Sequence, residues 1–216
     1  RLVENGKVMV DGEVAVMGMQ IRPGQKVVCD GKPVGEKEKP VFLIVNKPRG
    51  IVCTTSDKDH AENIVEFLNY PQRIYPVGRL DKDSEGLLLM TDDGELANLL
   101  THPRHAVGKV YNVSVRGEIT EEKLALLRAP MVIDGYETQG AEVSVIETHE
   151  GGGKLRITLY EGRNREIRKM CEQANLAVSR LCRVQIGEIK LDNLALGKWR
   201  VLDRAQIAYL NRLRTK

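Results

Sequence analysis

The segment Gly78-Arg79-Leu80-Asp81-Lys82-Asp83-Ser84-Glu85-Gly86-Leu87-Leu88-Leu89 sets a polar, acidic loop before an apolar run. Asp81 stands two residues after Arg79. In extended backbone such residues project to the same side, and a guanidinium beside a carboxylate lowers its pKa. A carboxylate kept ionised at neutral pH can serve as nucleophile or base. The same residues also suit an ordinary surface turn with an incidental ion pair. Further on, Lys109-Val110-Tyr111 puts an aromatic hydroxyl on an alternating run. The stretch from Glu161 to Met170 then gathers Arg163, Asn164, Arg165, Arg168 and Lys169 at one helix start. On a helix Arg168 would neighbour Arg165 and Glu172, so a plain surface ion pair competes with any chemical role.

These residues need elements to hold them. Val41-Phe42-Leu43-Ile44-Val45 reads as a buried strand, closed by Lys47-Pro48-Arg49-Gly50. Strands are predicted over Ile74 to Val77 and Leu87 to Thr91, on either side of the Asp81 loop. Further strands are predicted over Val110 to Val115, Ala141 to Ile146, Leu155 to Tyr160 and Val184 to Leu191. Helices are predicted over Asn63 to Leu68, Glu95 to Leu100 and Glu121 to Leu127. A further helix, capped by Asn164, is expected to run to about Ala174 with Ile167, Met170, Cys171 and Ala174 on one face. Strands and helices mix without βαβ regularity. The fold class expected is α+β, with a mixed, mainly antiparallel central sheet and flanking helices. Before this part, Val8-Met9-Val10, Asp11-Gly12 and Glu13-Val14-Ala15-Val16 read as a hairpin. Arg22-Pro23-Gly24 then turns into Lys26-Val27-Val28-Cys29. The run Lys32 to Lys39 reads as a linker. The expected division is 1–36, a small front piece with its linker, and 37–216, a larger α+β domain.

The segment around Asp81 resembles the signature of the pseudouridine synthases of the RsuA/RluB/RluF type, in which Gly-Arg-Leu-Asp marks the catalytic aspartate. Other motifs follow in family order between about Pro40 and Leu202. They are Asn46-Lys47-Pro48-Arg49-Gly50, Thr91-Asp92-Asp93-Gly94-Glu95-Leu96, Lys109-Val110-Tyr111, and Gly162-Arg163 leading to Arg168. Gly108 departs from the family pattern, which has a glutamate there. The front of the chain resembles the second half of an S4 RNA-binding domain, through Gly6-Lys7-Val8-Met9-Val10-Asp11-Gly12 with Asp11 in place of Asn. The helices that normally precede that hairpin are absent, and Arg1 rather than Met opens the chain. Both points suit a piece of a longer protein.

The resemblance implies isomerisation of a uridine in RNA. The N1–C1′ bond breaks, the base turns, and C5 joins C1′. The base must leave its stack to be worked on. Asp81 would attack the sugar or remove its 2′ proton; both routes stay open. Tyr111 would stack on the uracil and take part in removing the C5 proton, and Arg168 would pair with Asp81. Arg79, Lys47, Lys109, Arg163, Asn164, Arg165 and Lys169 would contact RNA. Nothing is oxidised, reduced or hydrolysed, so the reaction implies no cofactor and no metal. The expected partner is ribosomal RNA, large-subunit (23S) before small-subunit (16S), and the expected state is a cytoplasmic monomer. Two rivals are a non-catalytic RNA-binding or ribosome-assembly protein, and a carboxylate-dependent glycosidase or base-excision enzyme, with Asp83 or Glu85 as the second carboxylate a glycosidase needs.

Composition agrees with a polyanionic partner. Net charge is +3 over 216 residues, with 42% hydrophobic and 29% charged. The charge is uneven: from Lys154 to Lys216 there are 15 Lys and Arg against 6 Asp and Glu. A basic stretch gains affinity for phosphates by releasing counterions. No apolar run reaches the roughly 18–20 residues of a membrane span. Cys29, Cys53, Cys171 and Cys182 form no CxxC pair, which argues for reduced thiols. Gly151-Gly152-Gly153-Lys154 lacks the spacing of a phosphate loop and is expected to be a hairpin turn. His102 and His105 lack further ligands at metal spacing. Trp199 is expected in the core.

Overall fold

Asp-Gly pairs close three hairpins in the computed structural model: Asp11-Gly12, Asp30-Gly31 and Asp134-Gly135. Their φ values are 51° and 91°, 52° and 77°, and 52° and 77°. Two successive residues with positive φ are what the twist of a tight two-residue hairpin requires. The structure describes residues 1–22, 24–35, 40–54, 62–101 and 105–214. Pro23 of the second expected turn, the linker stretch 36–39 and His102 lie outside the described residues.

The chain divides into two units, Arg1–Pro40 and Val41–Lys216. In the first, β1 (Val8–Val10), β2 (Glu13–Val14), β3 (Val27–Cys29) and β4 (Lys32–Val34) form a sheet in the order β2-β1-β3-β4. The start of the expected linker is therefore strand. Lys32 pairs with Cys29 across the Asp30-Gly31 turn, a signal as strong as the Asp11-Gly12 turn before it.

The second unit runs β5 (Phe42–Lys47), α1 (Ile64–Leu68), β6 (Tyr75–Val77), β7 (Glu85–Thr91), α2 (Gly94–Thr101), β8 (Lys109–Arg116) and α3 (Glu121–Arg128). It continues with β9 (Val132–Ile133), β10 (Tyr136–Glu137), β11 (Glu142–His149), β12 (Gly152–Leu159), α4 (Glu166–Gln173), β13 (Ala177–Ile186), β14 (Ile189–Lys190), β15 (Trp199–Val201) and α5 (Arg204–Arg214). The main sheet has the order β11-β12-β8-β13-β7-β5-β15, with β14 beside β13 and β6 beside β7. Its pairings are antiparallel except that of β7 with β13.

Successive side chains of a strand face opposite ways, and at the sheet centre both faces are covered. Leu43 and Val45 of β5 and Leu88 and Met90 of β7 pack with α1, α3 and α4 through Ile64, Leu124, Leu127, Ile167 and Met170. Phe42, Ile44, Leu87 and Leu89 pack the other way, with Leu96 and Leu100 of α2 and Tyr209 and Leu210 of α5. That explains the unbroken apolar runs in β5 and β7. In β12 only alternate residues, Leu155, Ile157 and Leu159, join the core. Cys171 is fully buried on the expected face of α4, and burial pushes its thiol up to about 12.

Some expectations need correction. The strand expected over Val184 to Leu191 begins earlier, as β13, and Gly187 at φ 54° turns it into β14. Trp199 is 42% exposed and meets Tyr70 edge-on, with ring centroids 5.4 Å apart, so it is not a core residue. In the glycine run only Gly151 has positive φ; Gly152 and Gly153 already belong to β12. A side chain on them would strike Val115 O at 2.2 Å and Glu147 O at 2.5 Å.

Candidate active site

The Asp81 loop joins β6 to β7, and main-chain groups hold it. Leu80 is buried, and its N–H donates to Cys53 Sγ at 3.4 Å. The Gly50 N–H donates to Lys82 O at 2.8 Å. The Ser84 N–H donates to Asp81 O at 3.0 Å, closing a four-residue turn. Behind the turn, buried Glu85 pairs with Arg180 and, at 3.3 Å, with Arg49. Gly86 then lies against Arg183: at φ 105°, a Cβ there would sit 2.3 Å from Arg183 O. The parallel contact of β7 with β13 therefore requires glycine at this point.

Three segments surround one cavity of about 490 Å³. The first is the Asp81 loop. The second is the start of β8, with Lys109 and Tyr111. The third is the stretch from Glu161 to Arg165 before α4. Tyr111 is buried and lies opposite Arg183 of β13. Lys109 Nζ donates to Val107 O and Glu161 O, both at 3.4 Å. Burial holds its ammonium below the ordinary lysine range; nearby Arg183 adds to this and Glu166 opposes it.

On the third segment the charges are interlocked. Arg165 makes a two-pronged contact with Asp83, at 2.9 and 3.1 Å, and lies 3.8 Å from Asp81. The Arg165 hydrogen bond holds Asp83 below the ordinary carboxylate range against the opposing effect of burial, with Arg168 adding to the lowering. Arg168 donates to Asp83 O at 3.1 Å and lies 3.4 Å from its carboxylate. Glu166 accepts from the Arg163 N–H at 2.8 Å. Burial pushes Glu166 up to about 7, and Glu161 adds to the rise. Glu161 accepts from Tyr136 OH at 3.2 Å and from the Gln139 N–H at 2.8 Å. Arg163 lies over the Tyr136 ring, 3.4 Å from its centroid. An ionised-group pair, an aromatic hydroxyl and several guanidiniums thus meet in one cavity of small-ligand size.

A family described as RNA pseudouridylate synthase matches residues 41–173, which span all three segments. The chain belongs to the RNA pseudouridylate synthase family. It is 38% identical over 99% of its length, and 72% of the relative's, to the dual-specificity RNA pseudouridine synthase RluF of Escherichia coli (strain K12). It is 34% identical over 98% of its length, and 88% of the relative's, to the ribosomal large subunit pseudouridine synthase B of Bacillus subtilis (strain 168). A crystal structure of a pseudouridylate synthase matches with a TM-score of 0.72 at 27% identity, covering 97% of this chain and 90% of that one.

In this synthase the cavity is lined by Asp81, Tyr111, Arg79, Lys109, Arg163, Asn164 and Arg165 among the residues expected from the sequence. Three others are placed elsewhere. Lys47 is 0% exposed, and its Nζ donates to Pro48 O at 2.8 Å and Ile51 O at 2.9 Å. It is a structural tie beneath the loop, not an RNA contact, and burial holds its ammonium below the ordinary range. Lys169 pairs with Asp134. Arg168 pairs with Asp83 rather than with Asp81, whose nearest guanidinium is that of Arg165. The Arg168 side chain is only 15% exposed, against 42% for Arg165. Asn164 does not cap α4. Arg165, in left-handed backbone at φ 53°, occupies the cap position and makes no side-chain cap bond.

Gly108 lies beside the exposed Tyr160 ring. A Cβ there would lie 3.1 Å from the Tyr160 ring. Sequence reasoning missed Arg183, Glu161 and Glu166 in the cavity wall. For Arg183 a signal existed: in β13 it stands two residues after Leu181, on the same face as that buried apolar residue, an inward position for a charge.

Proposed function

We propose that this synthase isomerises a uridine of ribosomal RNA, in the large subunit, with Asp81 as the reacting carboxylate. One observation carries the reading: Asp81 and Tyr111 line the same cavity, with room for a base turned out of its stack. The name of the Bacillus subtilis relative supports the large subunit. Asp81 attacks C1′ or takes the 2′ proton, and either step releases the N1–C1′ bond. Tyr111 stacks on the freed uracil, and its hydroxyl takes part in moving the proton off C5, passing its own proton on as it accepts that one. Arg168, which lies behind the turn on Asp83 O, positions Asp81. Arg79, Arg163, Asn164 and Arg165 hold the phosphates at the rim, and the first unit adds an S4-like RNA contact. The atoms balance as an isomerisation, so these side chains suffice without a redox partner.

The test is to incubate the protein with ribosomal RNA and digest to nucleosides. A new nucleoside of unchanged mass supports the reading. Free uracil would indicate a glycosidase, and no change would indicate a binding protein.

A further inference from the structure

Arg183 is the most deeply buried guanidinium of the cavity wall, at 3% exposure. Its Nε donates to Leu87 O at 2.8 Å, which sets the plane of the group. One of its Nη atoms is buried with no acceptor among the described residues. A buried guanidinium edge without an acceptor is costly in a fold, because a charged donor has left water and found nothing in exchange. Its surroundings sharpen the point. Arg183 lies opposite Tyr111 in the pairing of β13 with β8 and opposite Gly86 in the pairing of β13 with β7. Its charge acts on Lys109 to one side and on Cys53 to the other. The acidic group near Lys109 is Glu166, which burial and Glu161 push toward its neutral form. The carboxylates of the loop are engaged by other arginines: Asp83 by Arg165 and Arg168, Glu85 by Arg49 and Arg180, and Asp81 lies 3.8 Å from Arg165. The wall beside Tyr111 is thus cationic and short of acceptors.

Resting on the proposed isomerisation, the reaction creates an acceptor with negative charge at this place. When N1–C1′ breaks, its electron pair stays on N1, and the uracil becomes a monoanion whose charge spreads to O2 and O4. The sugar's deficit at C1′ is met by an ester bond to Asp81, or by loss of the 2′ proton to Asp81 and formation of a C1′–C2′ double bond. C5 then bonds to C1′. The ester oxygen recovers its electron pair, or the 2′ proton returns. The proton on C5 is lost and N1 gains one, so the product is an isomer. We propose that Arg183, assisted by Lys109, donates to the carbonyl oxygens of the uracil and stabilises this anion, acting as a catalytic residue for glycosidic cleavage. Preorganised donors aimed at developing charge in a site poor in water are effective because they need no reorganisation as the charge forms.

The test uses an internal comparison. Fluorine at C5 withdraws electrons and stabilises the uracil anion by itself, so it reduces dependence on a protein donor. R183Q and R183K are compared with the wild type under single turnover on ribosomal RNA carrying uridine or 5-fluorouridine, following loss of the parent nucleoside after digestion. R183Q is expected to slow cleavage of uridine by roughly 10²–10³, the cost of losing one such donor, with RNA affinity unchanged. The defect should shrink at least about tenfold on the fluorinated RNA, and R183K should lie between. A partly misfolded variant lowers both rates alike and leaves their ratio unmoved, and R183K, which keeps the charge, supplies the ratio should R183Q not fold. Equal defects on the two RNAs, or no defect, would overturn the proposal. A wild type that converts no uridine in any ribosomal RNA would instead overturn the proposed function.

Discussion

The loop with Asp81 is held by main-chain groups: Leu80 N–H on Cys53, Gly50 N–H on Lys82 O, and Ser84 N–H on Asp81 O. The stretch from Glu161 to Arg165 across the cavity is held by carboxyls, with Glu166 on the Arg163 N–H and Glu161 on Tyr136 and Gln139. Main-chain bonds do not titrate, whereas carboxyl contacts do. The reactive side adds to its main-chain bonds only the ion pairs of Asp83 and Glu85, with Asp83 held below the ordinary carboxylate range, so its geometry holds around neutral pH, whereas the arginine side has one that pH can loosen there. The division also separates roles: changes on the first side should alter rate, and changes on the second should alter affinity.

The largest expected effect beyond Asp81 itself is that of Tyr111→Phe. The ring remains and the hydroxyl goes, so single-turnover rate should fall by about 10²–10⁴, the usual weight of a positioned proton-transfer group. RNA affinity should hold in filter binding. A rate equal to wild type would reduce Tyr111 to a stacking platform.

Next comes the pair of arginines that bridges the two sides. Arg168 is nearly closed to solvent and holds the turn through Asp83, whereas Arg165 is open and could meet phosphate. Arg168→Ala should lower rate by roughly 10², the scale of a small misplacement of a reacting group, and spare affinity. Arg165→Ala should weaken binding more than turnover at saturation. The reverse pattern would break the division.

The pH expectation concerns Glu166. Its carboxyl is raised in the fold to about 7 from an ordinary 4.5, so the folded state holds the proton more tightly than the unfolded chain. Its stabilising contribution is present below about 4.5 and lost as pH rises to about 7. Glu161, Arg163 and Lys109 face it, and charging it sets two carboxylates side by side. Thermal unfolding followed across this range should show wild-type Tm falling relative to Glu166→Gln. Parallel curves would mean that Glu166 does not titrate there.

The smallest effects lie at the rim. Arg163→Ala should reduce the salt slope of RNA binding by roughly 0.7–0.9, one phosphate contact. Lys169→Ala should change it less, because Lys169 already pairs with Asp134. Equal slope changes would place Lys169 at the rim after all.

What could be read in advance follows the same line. Leu43 to Val45 and Leu87 to Met90 announce strands because both faces of the sheet centre are covered. The loop with Asp81 stands out because it interrupts them with charge. Lys47 misleads because an exposed and a buried lysine look alike in sequence; only the carbonyls of Pro48 and Ile51 brought under it decide. The partner of Arg168 misleads similarly, since two carboxylates two residues apart, Asp81 and Asp83, compete for it. The helix α5 was missed, although Tyr209 and Leu210 bury against the far face of the sheet. Its value lies in a contact with distant strands, which local periodicity does not reveal.

The central claim is that Asp81 performs the isomerisation, and tritium release from 5-tritiated uridine in ribosomal RNA tests it most directly. Wild type should release tritium in step with pseudouridine formed. Asp81→Asn keeps the shape and removes the nucleophile or base, so it should bind RNA with unchanged affinity and release none above background. Substantial release by Asp81→Asn would contradict the account and send the search for the reacting group to another residue of the cavity.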